Sequence, residues 1–399
     1  MKTDDRPRQY RKDTLLTHLG RNPETQHGAV NPPVYHASTI LSKNIAEWEN
    51  RPDPRVHFGV VRYGLSGTPT TFALEELLAR IEGGYRAAIV CSGLAAVTAP
   101  LQGLLSQGDH ILMVDSAYGP ARNFCNRVLT RMGVETTYYD PLIGAGIAGL
   151  FRPNTRAVFV EAPGSQTFEM QDVPAIAAAA HERGVTVLMD NTWATPLYFQ
   201  AFAKGVDLSI QAGTKYIGGH SDVMLGTISA NASLWPRLKE TVTTMGLCVG
   251  PDDMYLALRG LRTLGVRLER HRQSALTIAD WLRERPEVRR VLHPAMEDDP
   301  GHAIWRRDFT GSSGLFSIVL KPIADAAVRA FLDALELFGM GFSWGGYESL
   351  VILFDCAGYR TATRWAPGGP ALRFHVGLED PNDLITDLER GFAAMAKAA

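Results

Sequence analysis

The sequence predicts an α/β protein with a mostly parallel, doubly wound sheet, plus a smaller C-terminal α+β domain. At 399 residues the chain is longer than a single hydrophobic core usually supports. Short, uniformly apolar strands alternate with helical segments, as expected when helices cover both faces of a parallel sheet. Near residue 250 this alternation stops. We therefore predict an N-terminal arm (1–66), an α/β domain (67–261) and an α+β domain (262–399).

The arm is marked by prolines and by the absence of sustained periodicity. Its segments 31–35 (NPPVY) and 51–55 (RPDPR) favour extended chain over regular helix. Apolar side chains such as Trp48 and Phe58 indicate that the arm lies on a partner surface rather than in solvent. We expect it to contact a neighbouring subunit.

The α/β domain begins with a helical pattern from Thr71 that ends at Gly83 and Gly84. Helices are predicted between the strands that follow. The predicted strands are Ala87–Cys91, Ile111–Val114, Ala157–Val160, Val185–Met189, Leu208–Ile210 and Gly226–Ala230, and the predicted helices are Leu94–Leu105, Pro120–Met132 and Pro174–Arg183.

A long helix, from Pro251 to about Arg285, is predicted to bridge the two domains, because its apolar residues form one stripe. The remaining segments mix strands and helices without a parallel repeat. They are Leu315–Leu320, a helix over Ala324–Phe338, Leu350–Phe354 and Leu372–Val376.

Composition excludes several classes of protein. Hydrophobic residues make up 45% and charged residues 21% of the chain, which is ordinary for a soluble enzyme. A net charge of −2 offers nothing to nucleic acid or an anionic membrane. The N-terminus lacks the apolar core of a signal peptide, and no apolar run reaches membrane-spanning length. Four separated cysteines form neither a zinc motif nor a disulfide framework. We expect a cytoplasmic enzyme with no metal.

Two residues after neighbouring strands suggest the chemistry. Asp190 follows the strand ending at Met189, and Lys215 lies in the turn after the strand ending at Ile210. Ligands of such sheets bind beyond the carboxyl ends of the strands. In pyridoxal 5′-phosphate (PLP) enzymes a lysine holds the cofactor covalently and an acid keeps its ring nitrogen protonated. The pair indicates a PLP site, although an aspartate and a lysine in these positions are common in other α/β proteins.

Two features near the first strands are compatible with that interpretation. Gly93 and Leu94 open a helix after a strand, and free amides at a helix start bind phosphate. Tyr118 follows the next strand, where an aromatic ring can stack on a planar cofactor. An ordinary strand-to-helix turn and a core tyrosine are the alternatives.

Three further features come from the arm and from the C-terminal part. Tyr63 ends the arm in a Gly-rich turn from which its hydroxyl could reach a neighbour's site. Ser343 and Trp344 precede two glycines that allow close backbone approach. Arg373 stands alone in an apolar strand, where either a substrate carboxylate or an internal salt bridge would pair with it.

Taken together, these motifs resemble the Cys/Met-metabolism (trans-sulfuration) family of PLP enzymes, and within it the bacterial cystathionine β-lyases. The resemblance runs from about Thr17 to Phe392. The motifs that carry it are GDHILM (108–113), DNTW (190–193), TKY (214–216), GLRTL (260–264), DFTGSSG (308–314) and SWGG (343–346).

The resemblance implies fold type I and a role for each matching position. It implies a homotetramer built as a dimer of dimers with shared sites, acting on a small sulfur amino acid in methionine biosynthesis. The implied roles are Lys215 as the cofactor-binding and catalytic lysine; Asp190 at the ring nitrogen; Tyr118 stacked on the ring; Gly93, Leu94 and Thr214 on the phosphate; Tyr63 reaching in from the neighbouring subunit; and Arg373, Ser343 and Trp344 binding the substrate.

The implied reaction is α,β-elimination of L-cystathionine to homocysteine, pyruvate and ammonia. The γ-acting relatives commonly carry glutamate where this chain has Phe342, which favours β-elimination. Leu65 replaces a phosphate-binding arginine, Ala212 a phosphate-binding serine and Thr243 a tyrosine of some β-lyases, so cofactor affinity and substrate preference could differ. A broader cysteine-S-conjugate or cystine β-lyase, and a γ-acting enzyme of the methionine γ-lyase or cystathionine γ-synthase type, remain alternatives.

Overall fold

The computed structural model describes residues 10–399, and the first nine residues of the predicted arm lie outside it. The described chain forms two sheets flanked by helices. The helices are α1 Lys12–His18, α2 Ile45–Glu49, α3 Pro69–Glu82, α4 Gly93–Leu104, α5 Gly119–Phe124, α6 Val173–His181, α7 Thr195–Tyr198, α8 Trp235–Thr244, α9 Pro251–Arg262, α10 Leu264–Arg283, α11 His302–Asp308, α12 Asp325–Asp333 and α13 Pro381–Lys397. The strands are β1 Arg86–Val90, β2 His110–Val114, β3 Glu135–Tyr139, β4 Thr155–Glu161, β5 Thr186–Asp190, β6 Leu208–Gln211, β7 Gly226–Ala230, β8 Val288–Leu292, β9 Leu315–Leu320, β10 Leu350–Phe354 and β11 Ala371–His375.

The larger sheet has seven strands in the order β1-β7-β6-β5-β4-β2-β3. Only β7 runs against its neighbours, pairing antiparallel with both β1 and β6. Strand β2 is buried along its whole length and β5 at its three middle residues, which explains why these positions are apolar in β5 and nearly all apolar in β2. The predicted α/β class with a mostly parallel sheet is thus confirmed, whereas nothing in the sequence of β7, GTISA, indicates its orientation.

The smaller sheet is antiparallel, in the order β10-β11-β9-β8. Its core is separate from that of the large sheet and includes Phe316, Phe331, Phe374 and Phe392. A third apolar cluster joins α1, α3 and α9. The domain boundaries after residues 66 and 261 remain predictions.

Two strands were missed because each lies at a sheet edge. Strand β3 has the polar sequence ETTYY, and Glu135 is exposed. Strand β8 carries the exposed Arg289 and Arg290. An edge strand with one solvated face lacks the uniformly apolar pattern on which the predictions relied. Helices α7, α8, α11 and α13 were also not predicted, and the helix predicted over Ala324–Phe338 ends at Asp333.

The predicted bridging helix is broken at Thr263. The Gly260 carbonyl accepts the Thr263 N–H at 3.1 Å and Arg267 Nη2 at 2.7 Å, so the regular ladder is interrupted there. The prediction of one continuous helix was therefore wrong. The helix predicted over Pro120–Met132 is α-helical only from Gly119 to Phe124. A π-helical turn, Cys125–Leu129, and a 3₁₀-helical turn, Thr130–Met132, follow it.

Candidate active site

A cavity of about 540 Å³ lies where the carboxyl ends of β4 and β5 face the smaller sheet. Its volume is typical of small-molecule sites. It gathers nine of the ten residues predicted from the sequence to serve the site: Gly93, Leu94, Tyr118, Asp190, Thr214, Lys215, Ser343, Trp344 and Arg373. The tenth, Tyr63, lines clefts beside the arm instead.

Lys215 projects its amine into this cavity from the turn after β6. Its Nζ donates to Ser343 Oγ at 2.5 Å and lies 5.5 Å from the centroid of the Trp344 ring. Burial, reinforced by the Arg373 charge, lowers the pKa of Lys215 to about 8, although Asp190 opposes the change. Gly345 packs so closely on the lysine backbone that a Cβ there would lie 2.9 Å from the Lys215 carbonyl carbon. A larger fraction of this amine is therefore neutral near physiological pH than for an exposed lysine.

Asp190 ends β5 with one carboxylate oxygen fixed. That oxygen accepts the Thr192 N–H at 3.0 Å and the Thr192 hydroxyl at 2.5 Å. The Thr192 oxygen in turn accepts the Ala212 N–H at 2.9 Å. Burial raises the pKa of Asp190, and the hydrogen bonds from Thr192 and the charge of Lys215 act against the rise. These hydrogen bonds thus fix the orientation of the Asp190 carboxylate, which lines the cavity.

Glu161 is a site residue that the sequence analysis missed. It ends β4, pairs in register with Asp190 on the neighbouring strand, and accepts the Tyr118 N–H at 2.8 Å. Burial raises the pKa of Glu161 well above its usual value, and the charge of Asp190 raises it further. Two carboxyl groups this close disfavour the ionisation of both at once. The signal available in the sequence was its place immediately after a predicted strand, the same place that identified Asp190.

The start of α4 offers two amide donors to the cavity. Ser92 caps the helix by accepting the Ala95 N–H at 3.0 Å, which leaves the amides of Gly93 and Leu94 without an acceptor in residues 10–399. A Cβ at position 93 would lie 2.5 Å from the Ala212 Cβ, so glycine is required for this approach. The hydroxyl of Thr214 accepts the Leu225 N–H at 3.1 Å on the same wall. Free amides at a helix start attract an anion.

Tyr118 exposes 44% of its surface and lines the cavity. Its pKa is raised by burial and by the carboxylates of Asp190 and Glu161, while Arg373 opposes the rise. The phenol therefore stays neutral at physiological pH and offers an aromatic face to a bound ring.

Arg373 enters from β11 on the opposite wall. Its Nη2 donates to the Ser343 carbonyl at 3.1 Å, and its buried Nε has no partner in the described chain. No acidic side chain of residues 10–399 forms a salt bridge with it, so the internal ion pair considered above is absent there. Burial lowers the pKa of Arg373 to about 10. Ser343, with φ 83°, holds a backbone conformation that is unusual for a non-glycine residue.

The arm places Tyr63 outside the cavity. Tyr63 exposes 51% of its surface and lines a cleft with Thr243, and Leu65 is also partly exposed. In this chain alone, therefore, neither Tyr63 nor the residue two positions after it meets Lys215.

These residues fit PLP. The α4 amides suit a phosphate, the oriented Asp190 suits a protonated ring nitrogen, Tyr118 offers a stacking face, and Lys215 supplies a neutral amine. The groups line one cavity large enough for the cofactor together with an amino acid. No group of three or more metal-ligating side chains occurs in the described chain.

Comparisons with known proteins agree with this geometry. The profile of the family described as Cys/Met metabolism PLP-dependent enzyme matches residues 13–393. The chain is 44% identical to cystathionine β-lyase MetC of Escherichia coli, over 96% of this chain and 98% of the relative. It is also 44% identical to a cystathionine β-lyase of Bordetella avium, over 94% and 96% of the two chains. The solved structure of metB from Corynebacterium glutamicum superposes with a TM-score of 0.88 at 29% identity, covering 97% of this chain and 99% of the other.

Proposed function

The chain belongs to the Cys/Met metabolism family of PLP-dependent enzymes, and from that premise we propose that it cleaves L-cystathionine by α,β-elimination. The reaction breaks the bond between Cβ and sulfur. With one water consumed, it releases homocysteine, pyruvate and ammonia.

One observation carries this proposal. A lysine amine, an oriented carboxylate and a guanidinium with no acidic partner in residues 10–399 line the same cavity. A buried arginine is costly unless an anion pairs with it, and an amino acid brings a carboxylate of matching shape. Arg373 would hold the substrate α-carboxylate, and Ser343 and Trp344 would line its pocket.

When bound, PLP supplies an electron-withdrawing ring that stabilises negative charge developing at the substrate Cα. The Asp190 carboxylate would hold the ring N–H, and the amides of Gly93 and Leu94, with Thr214, would hold the phosphate. Tyr118 would stack on the ring.

Lys215 would move the protons of the reaction. Its lowered pKa, about 8, makes the neutral amine accessible, so Nζ removes the Cα proton as a general base. The same Nζ then donates a proton to the departing sulfur. Ser343 Oγ, which accepts from Nζ at 2.5 Å, would help to orient the amine.

The residue before Ser343 supports β-elimination over γ-elimination. Phe342 lines the cavity and is 96% exposed. An apolar side chain cannot exchange protons with Cβ, and departure from Cγ requires such an exchange. Relatives named cystathionine β-lyase, with near-complete coverage of both chains, add to this support.

The test is to incubate PLP-loaded protein with L-cystathionine and to identify the keto acid by mass spectrometry. Pyruvate with homocysteine is expected. Oxobutyrate with cysteine would show γ-elimination and refute the proposal. Lys215→Ala, which removes the amine, serves as the control and should form neither product.

We further propose that the enzyme is a cytoplasmic homotetramer, a dimer of dimers in which Tyr63 of the partner subunit completes each site. The arm supports this, because Leu41, Ile45, Trp48 and Val56 expose 84%, 68%, 61% and 74% of their surfaces. No helix of the described chain is long and apolar enough to cross a membrane. Light scattering should give the mass of four chains, and a monomer would contradict the shared site.

A further inference from the structure

Gln166 has a strained backbone beside the cavity. It follows β4 with φ 65°, a left-handed conformation that is uncommon for a residue with a side chain. Its carbonyl accepts the Ser317 hydroxyl at 2.8 Å, and Ser317 pairs in register with Arg373 on the smaller sheet. Such strain persists where the surroundings fix it, and it often accompanies a binding role.

The side-chain amide of Gln166 is held by its oxygen. Oε1 accepts the Cys356 thiol at 3.2 Å, and the single proton of the Tyr359 hydroxyl is shared between Cys356 Sγ at 3.0 Å and Oε1 at 3.3 Å. Burial raises the pKa of Cys356, so it remains a thiol that can donate. With the oxygen occupied, Nε2 is left with two N–H donors and no acceptor in residues 10–399, while the residue lines the cavity.

The loop that carries Cys356 and Tyr359 is firmly attached to the larger sheet. Arg360, whose side chain is 2% exposed, pairs with Glu169 at 3.1 Å. The Asp115 carboxylate accepts the Thr361 N–H at 3.0 Å and pairs with Arg122 at 2.9 Å in a fully buried contact. A donor fixed in this way binds without a large entropic cost of ordering.

The charged residues that line the cavity indicate that the two ends of the substrate are bound by different groups. Lys215 and Arg373 are its only cationic lining residues in the described chain, facing the acids Asp190 and Glu161. If the proposed function holds, the fork of Arg373 matches both oxygens of the α-carboxylate and Lys215 is engaged in proton transfer. A second acceptor on the substrate therefore needs another donor.

We propose that Gln166 is a specificity residue whose Nε2 donates to an acceptor beyond the substrate sulfur, such as the second carboxylate of L-cystathionine. This inference rests on the proposed function. It assigns recognition of the sulfur substituent to a neutral amide supported by Cys356 and Tyr359.

The test compares L-cystathionine with S-ethyl-L-cysteine, whose substituent has no acceptor. Gln166→Leu removes the donor, and Gln107→Leu, on the exposed loop before β2, is the matched control. The ratio of kcat/KM for cystathionine to kcat/KM for S-ethyl-L-cysteine should fall about 10-fold or more in Gln166→Leu, as expected for losing a hydrogen bond to a charged group. Gln166→Glu, which repels a carboxylate, should lower the ratio further, and Gln107→Leu should leave it at the wild-type value.

An unchanged ratio in Gln166→Leu would overturn the inference, because equal losses on both substrates indicate a structural or α-carboxylate role. If wild-type protein cleaves neither substrate, the proposed function fails, and binding then tests Gln166 by itself. In PLP-loaded Lys215→Ala protein, calorimetry should show that adding Gln166→Leu weakens the binding of cystathionine about 10-fold more than the binding of S-ethyl-L-cysteine. Equal weakening there would also refute the role.

Discussion

Replacing Arg373 by leucine should lower activity while stabilising the fold. In the folded chain the guanidinium is buried without an acidic partner, and its pKa falls to about 10. Because the folded pKa is depressed below 12.5, the cost of holding the charge is fully present below pH 10. That cost is at most about 3 kcal/mol, at about 1.4 kcal/mol for each pKa unit. Partial solvent access and the loss of the hydrogen bond to the Ser343 carbonyl both reduce it, so we expect a gain of about 1–2 kcal/mol in the free energy of unfolding.

Activity should move in the opposite direction. Leaving a substrate carboxylate without its buried partner costs about 2–5 kcal/mol, which is a loss of about 30-fold to several thousand-fold in kcat/KM. Arg373→Lys keeps the charge but loses the fork, and should fall between leucine and wild type. The assays are pyruvate release from L-cystathionine and denaturant unfolding of the same preparations.

Arg267 provides the matched control. It is more deeply buried than Arg373, and its Nη2 donates to the carbonyls of Tyr216 at 2.9 Å and Gly260 at 2.7 Å, while its Nε donates to the Thr263 hydroxyl at 3.0 Å. Arg267→Leu should therefore destabilise the fold, since those carbonyls lose their partner. If Arg373→Leu behaves in the same way, losing stability with no greater loss of kcat/KM than Arg267→Leu, then Arg373 is a structural arginine and the reasoning fails.

Three further predictions follow from buried charges. The rate at which cofactor-free protein binds PLP covalently should rise with pH and level off above about pH 8. The reason is that the pKa of Lys215 is lowered to about 8 and only the neutral amine reacts. A rate that still increases at pH 10 would contradict this. Burial raises the pKa of Glu75 to about 7, with Lys239 3.9 Å away and one carboxylate oxygen unpartnered. Because the folded pKa of this carboxyl is raised, its contribution to stability is present below pH 4.5 and is lost as the pH rises through 7. Glu75→Gln should therefore unfold at a higher temperature than wild type at pH 8.5 and at a similar temperature at pH 4.5. Asp115→Asn leaves Arg122 buried and unpaired, which should lower the free energy of unfolding by about 3–5 kcal/mol, and a loss below 1 kcal/mol would show that the buried pair contributes little.

The site residues that the sequence predicted most directly are those at or just after the ends of consecutive strands. Asp190 and the turn holding Lys215 come after consecutive apolar strands, and parallel strands bring their carboxyl ends to one edge. Glu161 occupies the equivalent place on β4 and was recoverable by the same rule. The pairing of Gln166 with Cys356 and Tyr359 was not, because 190 residues separate the contacting segments and only the docked loop brings them together.

Backbone details were the least predictable part of the fold. At the break at Thr263, the Arg267 side chain donates to the Gly260 carbonyl seven residues earlier, a side-chain contact that helical periodicity does not predict. The direction of β7 depends on how the chain returns after Lys215, and the composition of a buried strand does not indicate its orientation. Tyr63 lies outside the cavity of its own chain, so its assignment to a shared site rests on the proposed assembly.

The assignment of Lys215 as the cofactor lysine is tested most directly by reducing PLP-loaded protein with borohydride and mapping the modified peptide by mass spectrometry. Reduction makes the lysine–cofactor linkage permanent. Modification of Lys215 alone, absent in Lys215→Ala, is the result expected from a neutral amine in this cavity. Modification of a different lysine, or none with PLP bound, would contradict the account.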